Sequence, residues 1–294
     1  MAHKPRLPSE RVPYTAIIDR APLKLPHGAR MAVWTIVNIE EWSIERNMPR
    51  TVLPPPMGQP LQPDLPNWAW HEYGMRVGFW RIADCLRRFK VTPTFAVNGS
   101  VLKSYPRIAE AALAAGWEFM GHGYLQGPMH HLDDQRKAIR DTVDIIKDFT
   151  GKPPRGWESP GLTETYDTID LLHEEGIEYV ADWVLDDQPV RIQTSKGSIV
   201  SVPYTLEVND IPMGVLQHLP AEEMFRRGAA QFDRLYEESA KITRVMAIST
   251  HAYITGVAHR IGWLERLYEH IAKKPGVVMW TGEQILDWYL MQKG

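Results

Sequence analysis

Short apolar runs alternate along the chain with longer stretches in which apolar residues recur every three or four positions. The short runs, several of them β-branched or aromatic, end abruptly in polar residues or glycine, which is typical of buried strands. They predict eight strands, over residues 31–38, 93–97, 117–120, 156–158, 177–181, 198–203, 244–250 and 276–280. The helical spacing predicts helices over residues 72–89, 105–115, 134–149, 165–175, 222–239, 261–272 and 282–291, with Asp134 and Thr281 as N-caps.

Strands that alternate with helices predict βα units and a mostly parallel sheet, which is either open and doubly wound or closed into a barrel. Neither Gly-x-Gly-x-x-Gly after the first strand nor Gly-x-x-x-x-Gly-Lys occurs, so the two common nucleotide-binding loops are missing. The sequence contains no internal repeat. We therefore expect an N-terminal arm over residues 1–30 and a single α/β domain over residues 31–294.

A proline-rich loop at about residues 43–70 interrupts this alternation. Because proline lacks an N–H group and fixes φ, such a density of prolines prevents a helix and blocks strand pairing. The loop is either a surface decoration or a lid over the carboxyl end of the first strand. The aromatic residues in and around it favour the lid. They are Trp42, Trp68, Trp70 and Tyr73, and the prolines are Pro54, Pro55, Pro56, Pro60, Pro63 and Pro66.

The composition describes an ordinary globular protein. Of the 294 residues, 44% are hydrophobic and 23% are charged, and the formal net charge is -3. These values exclude a disordered chain. The sequence also has no excess of basic residues, which a nucleic-acid binder would normally show. A single cysteine, Cys85, allows no intramolecular disulfide and favours a reducing compartment. The sequence shows neither the roughly 20 apolar residues of a membrane span nor the apolar segment of a signal peptide. We expect a cytoplasmic protein that binds neither membrane nor nucleic acid.

Polar residues follow most of the predicted strands. In parallel α/β folds, catalytic groups collect where the strands end at their carboxyl side. Several carboxylates and two histidines thus fall on one rim, which is the inventory of a hydrolase with a general base, a general acid and, as one alternative, a metal. The rim residues are Glu40, Glu41 and Trp42, Asn98, His122 and Tyr124, Trp157 and Glu158, Asp182, Asn209 and Asp210, and His251.

At these residues the sequence resembles the NodB-homology (polysaccharide deacetylase-like) family. Asn38-Ile39-Glu40-Glu41 stands where the family has an aspartate pair, and His122-Gly123-Tyr124 stands at its third-strand motif. Together with Glu72-Tyr73-Gly74 and Arg76, and with Pro203-Tyr204-Thr205-Leu206, these motifs look like the small-molecule branch. That branch includes metal-independent allantoinases and cyclic imide hydrolases. The resemblance implies a deformed (β/α) barrel of about seven parallel strands and a homo-oligomer.

The departures from the family pattern concern its metal. Family members bind zinc or a similar ion with one aspartate and two histidines. Here the second motif histidine is replaced by Gln126, and the family's fourth-strand arginine position holds Glu158. Glu41 and His122 remain as ligand types, and His130 or His131 is close enough in sequence to complete a site. The resemblance therefore implies either no required cofactor or a divalent metal such as zinc.

These residues predict a hydrolase of a non-peptide C–N bond in a small cyclic amide, imide or ureide. Glu40 or Glu41 would take a proton from water, His251 would protonate the departing nitrogen, and His122 would stabilise the oxyanion or hold a metal. The candidate substrate-binding residues are Trp42, Asn98, Tyr124, Trp157, Glu158, Asp182, Asn209 and Asp210. The alternatives are a metal-dependent N-deacetylase of carbohydrate or peptidoglycan and an inactive relative that only binds a ligand.

Overall fold

A nine-stranded sheet forms the framework of the protein, whose computed structural model describes residues 6–292. The strands are β1 Met31–Ile39, β2 Thr94–Val97, β3 Glu118–Gly121, β4 Gly156–Trp157, β5 Tyr179–Val180, β6 Val190–Thr194, β7 Gly197–Ser201, β8 Arg244–His251 and β9 Val277–Met279. Their order is β6-β7-β5-β4-β3-β2-β1-β8, with β9 paired to β1. All pairings are parallel except that between β6 and β7. The predicted α/β class with a mostly parallel sheet is confirmed.

Ten α-helices of the described residues cover this sheet and its ends. They are α1 Pro8–Arg11, α2 Leu65–Tyr73, α3 Phe79–Phe89, α4 Val101–Ser104, α5 Pro106–Ala114, α6 Gln135–Thr150, α7 Thr168–Glu174, α8 Glu223–Glu238, α9 Ile261–Ile271 and α10 Gly282–Leu290. Asp134 and Thr281 are N-caps as predicted, because each side chain accepts from a backbone N–H in the first turn. Among the described residues, no helix combines the length and the apolar character needed to cross a bilayer.

The predicted helix over residues 72–89 is wrong at its start. The helix begins at Leu65, where Asp64 caps it, and Pro66 lies in the first turn, which does not need its N–H group. A π-helical turn, Gly74–Gly78, then joins α2 to α3. The irregular part of the proline-rich loop therefore ends at Asp64 rather than at residue 70. A Cβ on Gly74 would clash with Tyr253, so glycine allows this turn to approach the residues that follow β8.

Strand β6 was not predicted. It pairs antiparallel with β7 in a hairpin whose register runs from Val190↔Ser201 to Thr194↔Gly197. The described part of the N-terminal arm packs beside this hairpin. Arg11 is buried there, donating to Gln193 O at 3.1 Å and forming an ion pair of 2.6 Å with Asp170. The first five residues of the predicted arm lie outside the described residues.

Alternation along the strands separates two apolar layers. Met31, Val33 and Val37 of β1 belong to the layer that also contains residues of α3 and α9. Ala32, Trp34 and Ile36 point to the opposite, inner face of the sheet, together with Ala96, Met120 and Tyr179. The sheet curves around this inner face so far that Asn209, downstream of β7, forms a parallel bridge with Ser249 of β8. The ends of the sheet therefore approach each other at the carboxyl side of the strands.

Candidate functional site

Three polar side chains meet where β1, β3 and β8 end. Residue 38 of β1 pairs with residue 251 of β8, so the carboxyl ends of these two strands are level. Glu40 continues the inner-face series of Trp34, Ile36 and Asn38 because side chains alternate along a strand. His122 continues the inner-face series of β3 in the same way. Glu40, His122 and His251 are 2%, 1% and 4% exposed, so the three groups share a centre closed from bulk water.

The Glu40 carboxylate is the hub of this centre. Its Oε1 lies 3.6 Å from His251 Nε2 and 3.8 Å from His122 Nε2, and it accepts a hydrogen bond of 2.9 Å from the Gln126 amide. Its Oε2 accepts from Trp42 Nε1 at 2.6 Å and, more weakly, from the Tyr253 hydroxyl at 3.5 Å. Both imidazoles therefore direct one nitrogen at the same carboxylate oxygen.

The second nitrogen of each imidazole fixes the orientation of its ring. His251 Nδ1 lies 2.6 Å from Asp210 Oδ1, and Asp210 Oδ2 accepts from the His251 backbone N–H at 2.7 Å. His122 Nδ1 lies 2.7 Å from the backbone oxygen of Glu158, which accepts only from N–H. These contacts leave both Nε2 atoms facing Glu40. The Nε2 atom of His122 is buried and has no hydrogen-bond partner among the described residues.

Opposite charges keep Glu40 ionised. Burial alone would raise the pKa of Glu40, but His122, the charge of His251 and that of Arg50 outweigh it and hold the pKa well below its usual range. For His122, burial would lower the pKa, but Glu40 and Glu158 outweigh it and raise the pKa. Since 3.8 Å is too long for a hydrogen bond, the attraction between Glu40 and His122 is Coulombic. Both shifts favour a carboxylate beside an imidazolium.

The predicted metal ligands do not come together. The Glu41 side chain, one residue out of register with the inner face, forms no ion pair with His122 or His251 in the described structure. His130 and His131 are exposed and line two separate cavities. Gln126 turns an N–H donor toward Glu40, and an amide N–H cannot bind a cation. Across residues 6–292, no group of three or more His, Cys, Asp and Glu is arranged to hold a metal. The residues present do not fit the family's metal.

Several predicted substrate-binding residues instead hold the centre in place. Asp210 orients His251, and Trp42 donates to Glu40. Asn98 accepts from the Glu41 backbone N–H at 2.8 Å and donates to the backbone oxygen of His122. Asn209 accepts from the Ile211 backbone N–H at 3.0 Å and donates to the Tyr204 hydroxyl at 3.2 Å. The polar atoms of these side chains are thus engaged by the protein itself.

The remaining predicted substrate-binding residues lie either in the protein interior or on the wall of a cavity. Trp157 is a core residue, fully buried against Gly121. Glu158 is buried and accepts from the Tyr204 hydroxyl at 3.0 Å, and burial raises its pKa. Burial also raises the pKa of Asp182, to about 7, in a separate cavity of about 580 Å³. Tyr124 is half-buried and lines a cavity of about 540 Å³.

The cavity lined by Tyr124 connects the proline-rich loop to the centre. Arg46, Asn47 and Pro49 of the loop form one side of it, and Gln126 and Pro160 lie on the other. Because Gln126 also donates to Glu40 Oε1, one side chain separates the cavity from the carboxylate. The loop therefore contributes to the wall of a cavity next to the centre, and its role as a lid stays a prediction.

Sequence reasoning missed three residues of the centre. His71 of α2 bonds the backbone oxygen of Glu40 at 2.9 Å and stacks on Trp42 with ring centroids 4.6 Å apart. Tyr253 reaches Glu40 from just beyond β8. Arg50 comes from the proline-rich loop and acts on Glu40 by its charge. Of the three, Tyr253 is the one that follows a predicted strand directly, and it lies in the turn after His251.

Comparison with known proteins relates this centre to a family. The model of the polysaccharide deacetylase domain matches residues 70–180. A Schizosaccharomyces pombe protein, provisionally named a polysaccharide deacetylase, is 28% identical in an alignment of length 293 that covers 88% of this chain and 90% of that protein. The chain is thus similar to polysaccharide deacetylases. The expected resemblance to the NodB-homology family is confirmed, and so is the expected enzyme class, a hydrolase of carbon–nitrogen bonds other than peptide bonds.

Solved structures of similar proteins include different activities. A Pseudomonas aeruginosa protein, provisionally named a polysaccharide deacetylase, superposes on this chain with a TM-score of 0.83 at 27% identity, covering 92% of this chain and 94% of that one. PuuE allantoinase superposes with a TM-score of 0.80 at 26% identity, covering 90% of this chain and 92% of the allantoinase. The chain is therefore similar, to nearly the same degree, to a protein named as a polymer deacetylase and to one named as an allantoinase.

Proposed function

We propose that this protein opens a small cyclic amide, imide or ureide by hydrolysis of a C–N bond, without a required metal. The supporting observation is the position of Glu40 Oε1, 3.6 and 3.8 Å from two imidazole Nε2 atoms, beside a Gln126 amide that replaces a metal-ligating histidine. Such a centre holds one negative charge, two groups that carry protons and no fitting ligand set for a cation.

The reaction begins with water activation. Glu40 accepts a proton from water as the water oxygen forms a bond to the carbonyl carbon. A carboxylate whose pKa is held so low is a weak base, so the proton must move on. His251, whose positive charge helps to lower the pKa of Glu40, receives this proton at Nε2, 3.6 Å from Glu40 Oε1, once it has given its own proton to the departing nitrogen, while its Nδ1 stays held by Asp210. The positive charge of His122 stabilises the oxyanion of the tetrahedral intermediate.

The intermediate then collapses and the ring opens. The C–N bond breaks, its electron pair stays on nitrogen, and His251 transfers its proton to that nitrogen. Glu40 and His251 return to their starting states, and the product carries a carboxylic acid at one end. In an imide or ureide the second carbonyl delocalises charge from the departing nitrogen. Such a substrate needs less electrophilic assistance than an acetamide, which agrees with a centre that lacks the family's ligand set.

N-deacetylation is the competing function, because the S. pombe and P. aeruginosa relatives are named as polysaccharide deacetylases. The cavity of about 540 Å³, whose wall includes residues of the proline-rich loop, favours a small molecule over a long polymer. The lack of a fitting set of metal ligands also disfavours deacetylation. A plain acetamide is a sluggish electrophile with a poor leaving group, so its hydrolysis needs more electrophilic assistance.

A substrate screen tests this proposal. The purified protein is incubated with succinimide, hydantoin, dihydrouracil and allantoin, and separately with chitin oligomers. We expect at least one ring to open, as detected by loss of ring absorbance and by mass spectrometry of the acid. Release of acetate from chitin oligomers, with every ring intact, would favour the deacetylase instead.

We also propose, from the resemblance to the small-molecule branch, that the enzyme is a cytoplasmic homo-oligomer acting on a small molecule. Light scattering coupled to size-exclusion chromatography measures the oligomeric state, and a mass of one chain would refute that part. Fractionation of cells that express the protein measures its location.

A further inference from the structure

Arg50 brings a buried guanidinium nitrogen without a hydrogen-bond partner near the carboxylate centre. Its Nε atom is buried and donates no hydrogen bond to any described residue. Glu40 lies near enough for the charge of Arg50 to lower its pKa, but no ion pair joins the two side chains within residues 6–292. A buried donor without an acceptor costs free energy, so such a group indicates a ligand that completes it.

The side of the centre that Arg50 faces follows from its neighbours. The charge of Arg50 also acts on Tyr253, whose hydroxyl points at Glu40 Oε2. The two imidazoles lie at the other oxygen, Oε1. Arg50 therefore supplies positive charge from the loop side, whereas His122 supplies it from the sheet side.

The loop around Arg50 is held by one buried side chain. Asn67 of α2, 3% exposed, accepts from the backbone N–H groups of Val52 at 2.8 Å and Leu53 at 3.0 Å. It also donates to Leu53 O at 3.0 Å and to Asp64, the N-cap of α2. These bonds begin two residues after Arg50, while Pro49, the residue before it, lines the cavity. Arg50 thus follows a residue of the cavity wall, and its charge acts on Glu40.

We propose that Arg50 is a substrate-binding residue that holds the second carbonyl oxygen of the ring, the one not attacked by water. The inference rests on the proposed function, because each ring in that screen has two carbonyls flanking the cleaved nitrogen. As the C–N bond breaks, negative charge from nitrogen spreads onto this oxygen, and the guanidinium N–H groups stabilise it. Arg50 forms no covalent bond and transfers no proton in this step.

Kinetics of an Arg50 variant test the proposal. Arg50→Met keeps the length of the side chain and removes its charge and donors. We expect kcat/KM for ring opening to fall about 100-fold, the usual scale for loss of one donor to developing charge. Arg50→Lys keeps the charge but loses the paired guanidinium donors, so its kcat/KM should lie between those of the wild type and Arg50→Met. Arg107→Met is the control, because Arg107 is exposed and pairs with Glu110 on the surface of α5.

A binding measurement separates this inference from the proposed function. Succinamate, the ring-opened form of succinimide, is titrated calorimetrically into the wild-type protein, Arg50→Met and Arg107→Met. We expect affinity to fall about 10-fold in Arg50→Met only. Equal affinity of the three proteins, or no binding to the wild type, would overturn the role of Arg50. A wild type that binds succinamate through Arg50 but opens no ring would refute the proposed reaction and leave the binding role standing.

Discussion

Two buried glutamates mark the opposite ends of the sheet's inner face, and their surroundings differ. Glu118 begins β3 and accepts from the Thr94 hydroxyl at 2.5 Å, the Tyr179 hydroxyl and the backbone N–H of Glu283 at 3.1 Å. Burial raises the pKa of Glu118 to about 7 in spite of these donors. Glu40, beyond the carboxyl end of β1, is as deeply buried, yet its pKa is lowered.

The difference lies in the charge of the partners. Hydroxyl and amide donors stabilise a carboxylate only partly, so burial leaves Glu118 close to neutral and suited to joining α10 to the sheet. Imidazoles that accept protons turn the same residue type, at Glu40, into a fixed negative charge. The end of the fold that we propose to be catalytic is therefore defined by the buried carboxylate that faces histidines, and not by burial itself.

The sharpest way to test this contrast is to neutralise each glutamate in turn. Glu40→Gln should lower kcat for ring opening by at least about 1,000-fold, because the amide cannot accept the proton of water. Glu118→Gln should keep kcat within about twofold of the wild type, since it lies at the other end of the strands. Initial rates and circular dichroism of both variants provide the measurement. An active Glu40→Gln enzyme would show that another base is used.

A smaller loss is expected when the orientation of the His251 ring is disturbed. Asp210→Asn keeps the shape of the side chain but offers the ring an amide in place of a carboxylate. We expect kcat to fall by about 100-fold with KM nearly unchanged, because Asp210 acts through His251 and does not touch the substrate. Steady-state kinetics separates the two constants. A rise in KM with kcat preserved would indicate that Asp210 binds substrate.

Glu118 should make stability depend on pH. Its pKa is raised from 4.5 to about 7 in the folded protein, so the folded state binds more protons than the unfolded state between these values. The contribution is complete below pH 4.5 and is lost as pH rises through 7, a change of about 3 kcal/mol in the free energy of unfolding. Urea unfolding at pH 5 and pH 8 should show this loss in the wild type. The same loss in Glu118→Gln would assign it to other groups.

The smallest effect is expected from metal removal. Since the donor set does not fit a cation, dialysis against a chelator should change kcat by less than about twofold. Metal analysis by mass spectrometry accompanies the rate measurement. Complete loss of activity that zinc restores would refute the proposal of a centre without a required metal.

Alternation along the strands decides how much of the site was predictable. Counting in steps of two from Trp34 through Ile36 and Asn38 assigns Glu40 to the inner face and excludes Glu41. The sequence contains this signal, although apolar runs alone left both glutamates open. Buried and exposed residues also alternate in strand β6, but a strand of five residues is too short for this period to be recognised in the sequence.

Other features depend on tertiary structure. The start of α2 was missed because proline density was read as irregular chain throughout, although Pro66 fits a first helical turn. Asp210 was expected to meet substrate, but its partner is 41 residues away in the chain. Arg50 lies in a loop without periodicity, where no local pattern tells which way a side chain points.

The Asn67 side chain makes the loop and α2 one mechanical unit. Its hydrogen bonds join the segment after Arg50 to α2, the helix that carries His71. Movement of the proline-rich loop would therefore shift both Arg50 and His71 relative to Glu40. In the proposed reaction, a substrate would pass the proline-rich loop before it meets a reactive group. The enzyme would then select substrates by size before it selects them by reactivity.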